Sequence, residues 1–181
     1  STQALLTFLS ISPGDIQTCV VDISGNTVTN NTPTSVIAVG SLLGLQTVML
    51  SSSSVLCVYN DVSGYIYAVV FSILGTAVTS GTITPFPTTH TATYSRVSLT
   101  TLSSSKALMS FTYFDGTTDR LISTIVTVSG FTITFSAIYD YPVGDSAIGN
   151  TASALSNTAA IASVAGNQIS AIELLSSNLL P

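Results

Sequence analysis

The segment LSSSSVL at residues 50–56 returns as LSSSKAL at residues 102–108, and this repetition is the strongest structural signal in the sequence. Gly25, Gly75 and Gly130 each close an apolar run and open a Thr-rich one. Self-similarity at a spacing of about fifty residues is typical of stacked or radial repeats, in which one small unit cannot bury its own apolar face. The sequence therefore predicts units that pack against one another.

Each repeat is expected to form four short β-strands. The strand-like runs span residues 45–50, 55–59, 65–73 and 76–83 in the second repeat, and residues 96–102, 106–113, 120–128 and 131–138 in the third. Alternating polarity and β-branched residues indicate strands, while Asp115-Gly116 and Ser129-Gly130 supply turn chemistry. Even residues 152–162, where a helix is least difficult to place, fit the strand register better.

These patterns predict a single all-β domain over residues 1–181, built of propeller-type repeats of four-stranded antiparallel blades. About three and a half units are expected, at approximately residues 1–40, 41–95, 96–147 and 148–181. A β-sandwich or jelly roll is the alternative, because the same short strands would satisfy it. The regular spacing favours the repeat.

The first and last units match only part of the repeat. We expect either that neighbouring subunits complete them or that the chain is a fragment of a longer propeller. A blade shared between the two termini is a third, less favoured explanation, because it would leave the blades unevenly filled.

Charge is scarce in this sequence. Charged residues make up 6% of the chain and hydrophobic residues 46%, and the formal net charge is −5. Because only three residues are basic, the chain cannot neutralise a phosphate backbone, and no nucleic-acid partner is expected. Low charge also removes the repulsion that keeps copies of a protein apart, so assembly is favoured.

The apolar stretches at residues 36–45 and 65–78 are interrupted by Ser and Gly. They are too short for a spanning helix, which needs about 18 continuous apolar residues, so the protein is expected not to span a membrane. Cys19 and Cys57 lie in apolar runs, which favours buried free thiols over a disulfide, although the pairing stays open. The Ser- and Thr-rich, nearly uncharged surface suggests an extracellular or virion setting.

The LSSSKAL opening and the VSGFTIT closing at residues 128–134 give the third unit a recognisable form. They resemble the tandem β-propeller-type repeats of bacteriophage virion proteins and bacterial surface proteins. Those repeats carry an aromatic-Asp pair after the second strand, which Phe114-Asp115 keeps and residues 163–166 lack. The resemblance implies display and binding on an outer surface, without catalysis.

No pattern of catalytic or metal-binding residues stands out. His90 is the only histidine, in a connection where we expect a surface position, and the acids are scattered singly. No enzyme activity, cofactor or metal is therefore predicted. Several acids, such as Asp15, Asp115 and Asp145, lie directly beside Gly or Ser, where a carboxylate caps turn N–H groups. A calcium site near Asp115 and Asp119 lacks the ligand run of an EF-hand.

The sequence Tyr139-Asp140-Tyr141 is the best candidate for an exposed binding site. Two aromatic rings flanking an acid on a connection could stack on a sugar ring and accept hydrogen bonds from its hydroxyl groups. In the favoured alternative, Tyr139 and Tyr141 share one strand face and pack against the next unit. Ile172 and Leu174 are the residues expected to contribute to contacts between subunits.

The predicted function is that of a non-enzymatic structural or display protein of a virion or extracellular assembly, held together by strand edges and apolar contacts between subunits. Its partners are expected to be copies of itself or a larger assembly. The alternative is a lectin-like β-propeller module that binds surface glycans and attaches to a host or surface.

Overall fold

The computed structural model describes residues 2–10, 14–87, 97–144, 149–156, 159–165 and 170–174. Within these ranges the chain forms β-strands and their connections, with no helix. The strands are β1 Thr2–Leu9, β2 Asp15–Ser24, β3 Thr27–Asn30, β4 Thr34–Ala38, β5 Leu42–Ser51, β6 Ser54–Asp61, β7 Ile66–Leu74, β8 Ala77–Ser80, β9 Thr84–Pro85, β10 Val97–Ser103, β11 Lys106–Phe114, β12 Asp119–Ser129, β13 Thr132–Phe135, β14 Tyr139–Gly144, β15 Gly149–Ser156, β16 Ala159–Ala165 and β17 Ser170–Leu174.

The strands form four antiparallel sheets that follow one another along the chain. Sheet 1 holds β1 to β4, sheet 2 holds β5 to β9, sheet 3 holds β10 to β14 and sheet 4 holds β15 to β17. None of these sheets closes on itself among the described strands. The structure confirms the all-β class. The propeller arrangement, the repeat count and the division into units stay predictions.

The first three sheets share one pattern of strand pairing. A long strand, β2, β7 or β12, pairs along one edge with the strand before it. Along its other edge it pairs with two short strands, as β12 does with β13 and β14. The sequence predicts one unbroken fourth strand at residues 76–83 and another at residues 131–138. This prediction is wrong, because the strand along that edge, which we call the outer strand, is divided into two short pieces.

Hydrogen bonds explain where the outer strand breaks. In sheet 3 the Ser136 N–H donates to Ile125 O at 2.9 Å, and the Ile125 N–H donates back to Ser136 Oγ at 3.0 Å. The hydroxyl thus takes the place of a backbone carbonyl, and the ladder stops. The same position in sheet 2 is Gly81, whose N–H donates to Val70 O at 2.8 Å.

Two-residue hairpin turns follow the long central strands at the predicted positions. Gly25, Gly75 and Gly130 are the first residues of these turns, with φ of 59°, 62° and 60°. A residue with a Cβ is strained at such angles, whereas glycine adopts them freely. The regular glycines of the sequence therefore mark the turns that return the chain to the outer edge.

Sheet 2 is buried on both faces. Along β6, Val55, Cys57 and Tyr59 pack with Ile16 and Ile37 of sheet 1. The intervening residues Leu56 and Val58 belong to a second core cluster, which includes Met109, Phe111 and Ile122 of sheet 3. Because side chains alternate across a strand, one apolar run supplies both cores.

Phe86 joins sheets 2 and 3 directly. This residue follows β9, is buried, and makes edge-to-face contacts with Phe111 at 5.4 Å and with Phe135 at 5.1 Å between ring centroids. Such pairs contribute roughly 0.5–1.5 kcal/mol beyond the area they bury. The connection after the outer strand of one sheet is thereby anchored in the core of the next.

Where neighbouring sheets pack on one another, some of the contacts join corresponding strands. The first strand of sheet 3, β10, contacts β5 of sheet 2 and β15 of sheet 4. At the outer side, β4 of sheet 1 contacts β8 of sheet 2.

Both cysteines are free and buried, which confirms the prediction from their apolar surroundings. Burial raises the pKa of the Cys57 thiol, so the reactive thiolate is disfavoured. The Cys19 thiol donates a hydrogen bond to Asn31 O at 2.8 Å. Cys19 therefore helps to hold the break between β3 and β4.

The burial of sheet 2 on both faces can be tested with two leucine-to-alanine substitutions, one buried and one exposed. Leu56 is 0% exposed and Leu74 is 84% exposed. We expect Leu56→Ala to lower the free energy of unfolding by about 2–5 kcal/mol, because it leaves a cavity between sheets 2 and 3. Leu74→Ala should change it by less than about 0.5 kcal/mol. Denaturant unfolding at one protein concentration measures both, and equal losses would contradict the packing.

Candidate functional site

Tyr139, Asp140 and Tyr141 lie in the edge strand β14 and not on a connection, which agrees with the favoured alternative in which the two tyrosines belong to one strand. Tyr139 pairs with Ser123 and Tyr141 pairs with Leu121 of β12. The physical reason is that β13 pairs with only part of β12 and leaves the rest of that edge to β14. Alternation along the strand places the two tyrosines on one face and Asp140 on the other. Their role in ligand binding stays a prediction.

The Asp140 carboxylate is engaged by two side chains of the neighbouring strands. Arg120 Nε donates to Oδ1 at 2.7 Å, and the Tyr113 hydroxyl donates to Oδ2 at 3.2 Å. Tyr113 and Arg120 face each other in the β11–β12 ladder, which brings both donors to one place. Part of the acceptor capacity that a sugar would use is therefore already taken.

Asp115 shapes the hairpin that precedes Arg120. Its Oδ1 accepts hydrogen bonds from the N–H groups of Thr117 and Thr118, each at 2.9 Å. Arg120 Nη1 lies 3.4 Å from Asp115 Oδ2. The pKa of Asp115 is lowered mainly by the hydrogen bonds from the Thr118 and Thr117 N–H groups. The positive charge of Arg120 lowers this pKa further.

Tyr113, Asp115, Arg120 and Asp140 together form what we term the Arg120 cluster. The hydrogen bond to Asp140 raises the pKa of Arg120. The pKa of Tyr113 is raised mainly by desolvation and, to a smaller extent, by the negative charge of Asp140. The side chains of Arg120, Asp115 and Asp140 remain 26%, 28% and 29% exposed, respectively. Ion pairs at this exposure contribute little to stability, so the chief effect is to fix β14 beside the β11–β12 hairpin.

The corresponding hairpin of sheet 2 uses the same device. Asp61 Oδ1 accepts hydrogen bonds from the N–H groups of Ser63 at 2.9 Å and Tyr65 at 3.0 Å. The structure thus confirms, at Asp61 and Asp115, that the acids cap turns. Across the described ranges, no three His, Cys, Asp or Glu side chains gather into a group that could hold a metal ion.

Sequence reasoning missed Arg120 and Tyr113 as partners of Asp140. The signal was present, because a turn at Asp115-Gly116 sets the register that puts Tyr113 opposite Arg120. The sequence gives no sign that Asp140, in β14, comes back to pair along β12. That contact requires the outer strand to be interrupted between β13 and β14, and the periodic pattern of the sequence does not show the interruption.

The other residues singled out from the sequence lie elsewhere. Ile172 and Leu174 occupy β17 and pair with Ala162 and Ala160 of β16. Their role in assembly stays a prediction. His90 lies outside the described residues.

The most conspicuous surface feature is the edge of β1. This eight-residue strand has the sequence TQALLTFL, with neither charge nor proline. It pairs with β2 at every position without a register shift. Among the described strands nothing pairs with its other edge, whereas β5 and β10 cover the same edge in sheets 2 and 3. Leu6 and Phe8 are 50% and 39% exposed.

Comparison with models of known protein families finds no match, and comparison with curated proteins finds no similar sequence. In the part of the chain that the structure describes, no helix has the length and hydropathy needed to cross a bilayer.

The Asp115 turn predicts a pH dependence of stability. The pKa of Asp115 is lowered in the folded state, while an unfolded Asp titrates near about 3.9. Its contribution is therefore present above about pH 4 and is lost as the pH falls through the lower, folded-state pKa. Asp115→Asn keeps an acceptor oxygen for the turn but cannot titrate, so its melting temperature should fall less between about pH 5 and pH 2.

Thermal melts at a series of pH values measure this difference. Asp22→Asn is the companion variant, because hydrogen bonds from Gln3 and Asn31 likewise lower the pKa of Asp22. Each substitution should remove part of the acid-induced loss. Identical pH profiles for Asp115→Asn and the parent protein would contradict the assignment.

Proposed function

We propose that this chain is a non-enzymatic structural or display protein that assembles with copies of itself through the β1 edge. The observation that carries this proposal is the uncharged edge of β1, with which no described strand pairs. The setting we propose is a virion or extracellular assembly, as the resemblance to propeller-type surface repeats implies. Propeller-like packing of the sheets belongs to the same proposal and is supported by the adjacency of β5, β10 and β15.

The opposite edges of sheets 1, 2 and 3 carry features that block strand addition. The outer strand is divided in sheets 1, 2 and 3, and its pieces are short, with four residues in β3, β8 and β13. Short or interrupted edges, charges and prolines are the usual protection against edge-to-edge pairing. The β1 edge has none of these protections, which suits an edge that receives another strand.

We propose β17 of a second copy as the strand that pairs with β1. β17 is an edge strand in the described part of sheet 4, and its one acid, Glu173, alternates with Ile172 and Leu174. Pairing of two different edges is heterologous, so it continues from copy to copy into a ring or a filament. A net charge of only −5 on 181 residues keeps the repulsion between copies small.

A charge placed on either edge should stop the assembly. We expect the double variant Leu6→Lys, Phe8→Lys to run as a monomer, because lysines at an edge oppose strand addition. Leu174→Asp should do the same from the other side. Val28→Lys is the matched control, since Val28 is 61% exposed on β3 of the same sheet. Size exclusion with light scattering gives the mass of each variant.

Mixing the two edge variants makes the test sharper. Each variant keeps one intact edge, so an equimolar mixture of the lysine variant and Leu174→Asp should form a dimer and nothing larger. If β1 instead paired with β1 of a second copy, Leu174→Asp would still assemble. A parent protein that stays monomeric at high concentration would overturn the proposed function.

A further inference from the structure

A cleft of about 280 Å³ lies between sheets 2 and 3, at the end that carries their β5–β6 and β12–β13 turns. Val70 and Val128, both buried, supply its apolar part. Four serines and the Gly130-Phe131 turn supply the rest of the lining; the serines are Ser53, Ser54, Ser72 and Ser104. None of the described residues that line the cleft is charged, so it suits an uncharged ligand.

The hydroxyl groups of these four serines are available to a ligand. In the described part of the chain, the nearby Ser51 and Ser103 use their hydroxyls to accept backbone N–H groups within their own turns, each at 3.3 Å. The four lining serines make no such side-chain hydrogen bond to the described residues. Ser54 and Ser72 are directly paired across β6 and β7, which places two hydroxyls side by side.

Phe131 gives the cleft an aromatic wall that is held in place. A Cβ built on Gly81 would lie 2.6 Å from Phe131 Cδ1 and 3.0 Å from its Cγ, so the ring lies against the Gly81 backbone. The ring is nevertheless 46% exposed. An aromatic ring that is fixed in the free protein loses little conformational freedom when a ligand stacks on it.

Among the described turns that follow the long central strands of sheets 1, 2 and 3, only that of sheet 3 has an aromatic residue. The residue after the turn glycine is Asn26 in sheet 1 and Thr76 in sheet 2, whereas it is Phe131 in sheet 3. The half-exposed aromatic ring is therefore not required by the hairpin itself, which forms equally well with small polar residues. Its presence coincides with the four free hydroxyls.

We infer that the cleft between sheets 2 and 3 binds one neutral pyranose ring. The aromatic face of Phe131 packs on the C–H groups of the sugar, and the serines exchange hydrogen bonds with its hydroxyl groups. The volume lies just below the usual range for ligand sites, which fits a single ring and nothing larger. This site is separate from Tyr139–Tyr141 and does not depend on assembly through β1.

Saturation-transfer difference NMR on the assembled protein tests this inference, with glucose, galactose, mannose and N-acetylglucosamine as separate probes. We expect at least one sugar to bind saturably. Phe131→Ala should weaken that binding roughly five- to tenfold. Phe114→Ala is the matched control, because Phe114 is 48% exposed on the same sheet but does not line the cleft.

Gly81→Ala adds an independent check, since the added methyl group displaces the Phe131 ring without removing it. It should also weaken binding, and light scattering should show an unchanged assembly mass for all three variants. The inference is overturned if none of the four sugars binds saturably, or if Phe114→Ala weakens binding as much as Phe131→Ala. It is equally overturned if Tyr141→Ala abolishes binding while Phe131→Ala leaves it intact.

Discussion

The structure depends on one constraint, which is that the inner strands are apolar on both faces. Residues 55–60 of β6 and 68–71 of β7 are all buried, and alternate apolar residues belong to different cores. A single sheet with such strands would expose one full apolar face to water, at roughly 25 cal/mol for each Å². Sheet 2 is therefore stable only between sheets 1 and 3, and the turns and breaks serve this stacking.

The same constraint shapes the surface. Because the sheets meet along their faces, the remaining exposed features are strand edges, turns and the clefts between neighbouring sheets. The Arg120 cluster closes one such place by joining β14 to the β11–β12 hairpin. The cleft beside Phe131 remains open, and the β1 edge has no described partner. The two proposed sites are therefore places where stacking leaves groups without a partner among the described residues. These groups are the serine hydroxyls of the cleft and the backbone N–H and C=O groups along the β1 edge.

Much of this fold can be predicted from the sequence, because strand alternation and turn glycines are local signals. The predicted runs at residues 106–113 and 120–128 correspond closely to β11 and β12. The broken outer strand could not be predicted in this way, since the Ser136 hydroxyl that replaces a carbonyl has no periodicity. The cleft was missed for a related reason: Phe131 and Gly81 are distant in sequence, and only the packing of two sheets brings them together.

The most direct test of the account is amide hydrogen exchange in β1, followed from low to high protein concentration. Alternate N–H groups of an edge strand are directed away from its partner and exchange with water unless another strand covers them. The account predicts that these amides of residues 2–9 become protected as the mass of the protein rises. Assembly at high concentration with these amides still exchanging freely would contradict it.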